Sequence, residues 1–245
     1  MDKEEGIIEN TAPAFNNSLL EALSLEKYRY LWILIFSYAM IFMYSNWFCA
    51  RLIRFLSVSI DGGTLVFPFT FILADIITEV YGYKKARLAI WVGFFFNLIY
   101  LLYGQIITHL PSPEYYAQSR VFDEIISVNV RIIFASMLTY FVAESLNILI
   151  LAKLKVRLKG KLMGLRFLLS TCIAASLDSI IFGFLAFFQV ISFSELCKMI
   201  LTMWIIKILI EFICLPISTS IARKLKKAEK IDVYDYNTSF NLFRI

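Results

Sequence analysis

Long apolar stretches recur along almost the whole chain, and no other feature restricts its fold as strongly. Six of them, at about 30–48, 64–81, 88–108, 128–152, 167–190 and 198–222, approach the roughly 20 apolar residues that an α-helix needs to cross a bilayer. Hydrophobic residues make up 60% of the 245-residue chain and charged residues 18%. Such a chain has too few polar groups to cover a water-facing surface. A soluble enzyme is excluded, and the expected fold class is an all-α integral membrane protein, a bundle of six transmembrane helices. The stretch 64–81 is the weakest span, because Pro68, Asp75, Thr78 and Glu79 interrupt it. The segment 49–63 is too short and too charged to cross and reads as an interfacial loop.

Basic residues set the expected orientation. One alternating set of connecting segments holds eighteen of the 24 Lys and Arg, including Lys84, Lys85 and Arg87, the run from Lys153 to Arg166, and the tail from Arg223 to Arg244. The other set holds only Arg51, Arg54, Arg120 and Lys198. This asymmetry predicts both termini in the cytoplasm, which an even number of spans requires. Three segments result: an acidic cytoplasmic tail over 1–29, a transmembrane domain over 30–225, and a cytoplasmic C-terminal tail over 226–245. Residues 16–28 suit a short amphipathic helix ahead of the membrane. No basic face marks nucleic-acid binding, no phosphate-binding loop marks a nucleotide site, and no cofactor is implied. The four cysteines lack metal-ligand spacing and read as small hydrophobes; a bridge between Cys49 and Cys197 is the alternative.

The charges that remain lie inside the spans: Arg131 and Lys207 against Asp75, Glu79, Glu144, Asp178 and Glu211. Each such residue at a membrane centre costs about 2.5–3.5 kcal/mol, so they must be paired, neutralised or turned towards a polar cavity. Two bases cannot satisfy five acids. Asp75 and Glu79 share a helix face at a four-residue spacing, Glu144 and Asn147 lie three apart, and Lys207 and Glu211 four apart. For the last pair an intrahelical ion pair is the simple reading, and for Glu79 a salt bridge to Lys84 competes with a ligand contact. Asp75 and Asp178 have no base on their own helices and are candidates for substrate binding. Glu144 is a candidate proton carrier unless Lys207 neutralises it across the bundle. Arg131 sits where it can snorkel to the interface. Phe67, beside Pro68, reads as a packing residue or as a face on which a planar ligand stacks.

The block FPFTFILADIITEVYGYKKAR, from Phe67 to Arg87, resembles the signature of the queuosine precursor transporters, the vitamin uptake transporter family. The likeness extends to Ser45 and Asn46, to RIIFASMLTYFVAESLN from Arg131, to SLDSIIFGFLAF around Asp178, and to WIIKILIEFICLPI around Lys207 and Glu211. Where that pattern has Gln and then Asp in the fourth span, this chain has Glu144 and Asn147. The resemblance implies import of a purine-like 7-deazaguanine (preQ0, preQ1 or queuine) across a bacterial inner membrane. It implies no enzymatic activity and a substrate site drawn from Asn46, Phe67, Asp75, Glu79, Glu144, Asp178 and Lys207. The expected partners are the lipid bilayer and either a second copy or a separate energising complex. A substrate-capture subunit of a larger uptake system is the alternative. An intramembrane aspartyl protease is a more distant one, since Ala-Ser-Leu-Asp at 175–178 lacks the Gly-x-Gly-Asp such enzymes share.

Overall fold

The computed structural model describes residues 28–55, 58–113, 115–116 and 118–243; the acidic segment 1–27 and its expected amphipathic helix lie outside them. Among the described residues six α-helices follow in order: α1 (Leu31–Cys49), α2 (Pro68–Tyr81), α3 (Tyr83–Thr108), α4 (Gln118–Arg157), α5 (Met163–Phe187) and α6 (Phe193–Glu229). All except α2 are long and apolar enough to cross a membrane. Between α1 and α2 the expected loop is a two-stranded antiparallel hairpin, β1 (Leu52–Phe55) and β2 (Val58–Asp61), with Leu52 opposite Asp61 and Phe55 opposite Val58. The β-branched and aromatic residues of LIRF and VSID favour that pairing over a loop.

The long helices are apolar on nearly every side, so their interior faces are marked by small and polar residues rather than by hydrophobicity. In α1 the buried stripe runs Leu31, Ile35, Tyr38, Phe42, Ser45, Asn46 and Cys49, while Ile33, Phe36, Met40 and Trp47 face outward. Close approach is achieved at Gly93 of α3, where an added Cβ would stand 2.6 Å from the Tyr140 hydroxyl of α4.

Helix α2 occupies the centre and touches all five other helices. It has 14 residues, about 21 Å of rise. A 3-10 helix at Gly62–Leu65 precedes it and adds about 8 Å, so the pair approaches the roughly 30 Å hydrocarbon thickness. Asp61 caps that 3-10 turn, its carboxylate accepting the Thr64 N–H at 2.9 Å. Pro68 starts α2, where its missing N–H costs nothing. Gly82, with φ +81°, makes the sharp step into α3 that a residue with a side chain would resist.

The start of α1 and the end of α6 meet at one end of the bundle. The Tyr30 N–H and the Tyr81 hydroxyl both donate to Glu229 Oε1, at 2.8 and 2.7 Å. From there residues 231–243 fold back across that end. Val233 N–H donates to the Val80 carbonyl (3.4 Å), Tyr83 N–H to Asp235 (3.0 Å), Arg87 to the Asn241 carbonyl (2.5 Å) and Trp91 to the Leu242 carbonyl (3.0 Å). The C-terminal tail is therefore a strap over α2 and α3. The hairpin lies at the opposite end.

Candidate functional site

Charged and polar side chains form a buried seam through the bundle, with three groups along it. At the hairpin end, the Lys207 ammonium of α6 bonds the Asp178 carboxylate of α5 and reaches Ser179 Oγ at 3.3 Å. It also stands over the Phe67 ring, 5.2 Å from its centroid, a cation–π contact. Lys207 thus turns away from Glu211, its neighbour on α6, and does not reach Glu144. The Asp178, Lys207 and Phe67 side chains, with Ser45, Thr64 and Ser136, line a cavity of about 10 Å³, room for about one water.

One to two turns further along, Asp75 of α2 meets Asn147 of α4, whose amide donates to Asp75 Oδ1 at 2.8 Å. The other Asp75 oxygen, both oxygens of Glu144, both oxygens of Glu211 and the Asn147 carbonyl oxygen are buried with no hydrogen-bond partner. The Thr70 hydroxyl beside Glu144 is spent on the Phe67 carbonyl (2.8 Å), and the Tyr140 hydroxyl on the Ile90 carbonyl (2.9 Å).

At the strap end, Glu79 is compensated several times over. Arg166 donates to both its oxygens, at 2.6 and 3.1 Å, and Lys226 to Oε1 at 2.5 Å. Lys155 donates to the Glu79 carbonyl, the Val233 carbonyl and Asp232, each at 2.6 Å. Asp232 also pairs with Lys226 at 2.8 Å. Partial burial of Asp232 opposes its charge, but the Lys155 and Lys226 ammonium groups outweigh it and hold the carboxyl below the usual carboxylate range. The expected Glu79–Lys84 bridge is replaced by this network.

Asn46 is buried beside this seam and donates to Asn97 Oδ1 of α3 at 2.7 Å. Of the expected site residues, the structure brings Phe67, Asp178 and Lys207 to one cavity. Asp75 and Glu144 belong to a second group, Glu79 to a third, and Asn46 to a separate pair. Arg131 caps α5, donating to the Leu185 and Phe188 carbonyls at 3.0 and 2.8 Å. The His109 ring bonds the carbonyl of Gln105. All four cysteines are free, with Cys49 buried and Cys197 exposed.

Residues 61–221 match the family described as "Putative vitamin uptake transporter". The chain belongs to this family. The matched region holds the charged residues of all three groups of the seam except Lys226 and Asp232. The chain is also similar to the "Probable queuosine precursor transporter" of Bacillus subtilis (strain 168), at 22% identity over 171 residues, which cover 69% of this chain and 74% of the relative. No solved structure matches the chain. As a vitamin uptake transporter family member it is a multi-pass membrane protein of transport type.

In this family member Arg166, Lys155 and Asn97 are site residues that the amino-acid sequence does not single out. By sequence, Arg166 and Lys155 read only as loop charges that fix orientation. Their partners are 87 and 77 residues away, a separation at which helical spacing carries no signal. Asn97 had a faint one, as a lone amide in an otherwise apolar span.

Proposed function

We propose that the protein imports a queuosine precursor, a 7-deazaguanine such as preQ0, preQ1 or queuine, into the bacterial cytoplasm across the inner membrane. The observation that carries this reading is the meeting of Phe67, Asp178 and Lys207 at one small cavity inside a vitamin uptake transporter. A planar bicycle suits the Phe67 face. Adjacent ring N–H groups suit the two oxygens of a carboxylate, and a ring carbonyl suits the ammonium group. A cavity of about 10 Å³ is far too small for such a ligand, so loading requires α5 and α6 to part from α2. Asp75 stands one step further along the path.

The same reading gives six spans with both termini cytoplasmic and a transporter domain over 30–225. The Tyr30–Glu229 contact supports it, because the chain returns to the end it left, which an odd number of crossings would not allow. Helix α2 with its 3-10 turn supplies the sixth crossing. The test is saturable uptake of labelled preQ1 or queuine by cells that lack their own uptake and express only this protein. Uptake no greater than in cells carrying an empty vector would overturn the proposal.

A further inference from the structure

The middle group of the seam has a property that separates it from the other two. Asp178 has Lys207, and Glu79 has Arg166 and Lys226, but among the described residues no cation pairs with Asp75, Glu144 or Glu211. Every unsatisfied atom in the group is an acceptor: Asp75 Oδ2, Glu144 Oε1 and Oε2, Glu211 Oε1 and Oε2, and Asn147 Oδ1. Buried carboxylates must be paired, hydrogen-bonded or neutral.

Among the described residues facing Glu144, the Tyr38 hydroxyl is buried without a partner and is the free donor, one O–H against five orphaned carboxylate oxygens. Glu144 faces Tyr38 from α1, Thr70 and Asp75 from α2, Tyr140 and Asn147 on its own helix, Asp178 from α5, and Glu211 from α6. Thr70 and Tyr140 donate elsewhere, and Lys207 is committed to Asp178. Tyr83 and Arg87, at the start of α3, face the strap instead. Among the described residues no three of His, Cys, Asp or Glu converge closely enough to hold a metal ion. The described cavity lies at Asp178 and is not lined by any of these three acids.

We infer that Asp75, Glu144 and Glu211, with the Asn147 carbonyl, form a proton-binding site that is loaded in the closed protein and is emptied when a substrate bearing an ammonium group or a row of N–H donors takes its place. A proton is the one cation that needs no cavity. Each proton taken converts an orphaned acceptor into an O–H donor, which a neighbouring orphaned oxygen can receive. An opened bundle offers the same oxygens to a ligand: the substrate's N–H groups replace the carboxyl O–H groups, and the displaced protons leave to water. The Asn147 amide already holds one Asp75 oxygen in place, leaving the second to exchange partners. The displacement half of this inference rests on the proposed transport reading; the loading half does not.

Infrared difference spectroscopy of the protein in lipid bilayers at neutral pH tests the loading directly. The carbonyl stretch of protonated carboxyl groups is expected in the ligand-free protein, sensitive to deuterium oxide and diminished in Glu144→Gln, Glu211→Gln or Asp75→Asn. These amides match the neutral acid in shape, so the variants should keep the melting temperature of the parent. Loss of that band on adding preQ1, with acidification of a weakly buffered sample, supports displacement. The affinity for preQ1 should then rise about tenfold per pH unit for each proton displaced. Absence of any protonated-carboxyl band traceable to the three acids overturns the inference. A band that persists in the bound state, with affinity independent of pH, overturns the displacement. If none of preQ0, preQ1 and queuine binds while the bands are present, the transport reading fails and the proton site stands.

Discussion

Lys207 has Glu211 one turn away on its own helix, yet its ammonium group bonds Asp178 on α5. The cross-helix pair gains Ser179 and the Phe67 ring as additional partners, which the intrahelical alternative would lack. Removing one member of a buried ion pair strands the other, at a cost of about 3–5 kcal/mol. Asp178→Asn should therefore lower the melting temperature of the detergent-solubilised protein markedly, and Lys207→Met should do the same. The double variant should recover much of the loss, because no charge is stranded. Glu211, having no partner to strand, should tolerate Gln with little change. Equal destabilisation by Asp178→Asn and Glu211→Gln in the melting assay would contradict this account.

At the scale of elements, the strap over residues 231–243 is held by groups that titrate. The Asp232 carboxyl is held below its unfolded value by Lys155 and Lys226, so its contribution is present at neutral pH and is lost as pH falls through the depressed folded value. Acidification should raise hydrogen exchange of the strap before that of α4 or α5, and Asp232→Asn should produce the same rise at neutral pH. A strap that exchanges equally slowly in both proteins would show that its backbone bonds to α2 and α3 suffice. The helices themselves were legible in the amino-acid sequence, because apolar runs of bilayer length have few other uses. The observed α1 and α5 differ from the expected spans by four residues or fewer at each end. Helix α4 begins ten residues earlier than expected, since the charged stretch from Arg120 to Glu124 is compatible with helix outside the hydrocarbon but not within it. The acids of the seam were equally visible, by their cost. Their partners were not: Glu79 finds Arg166 and Lys226 at separations of 87 and 147 residues, and only the packing of α2 among five helices brings them together.

For the whole molecule, the Tyr30–Glu229 contact and the surplus of basic residues at that end agree on one arrangement. A reporter joined after Ile245 should be active only in its cytoplasmic form, as should one joined ahead of Met1. Periplasmic activity of either fusion would contradict the six-span topology. The distribution of ion pairs also suggests how the bundle works as a unit. The strap end is tied by Glu79, Arg166, Lys155, Lys226 and Asp232, whereas among the described residues the hairpin end has Asp178–Lys207 as its ion pair between helices, Lys198 pairing with Glu195 on its own helix. The hairpin end is thus the cheaper one to open first.

The strap also bears on how the protein is made. Residues 226–243 are the last of the described chain to leave the ribosome, yet Lys226 completes the charge balance of Glu79, a residue synthesised about 150 positions earlier. During synthesis α2 can enter the membrane and pack, but its buried acid is incompletely matched until the final helix and its tail arrive. A chain cut short at residue 225 would lose the last turn of α6, with Lys226 and Glu229, and leave that end of the bundle unfastened. Cells degrade incompletely assembled membrane proteins through such weak points. The strap therefore links the charge balance of an early helix to the arrival of a late one.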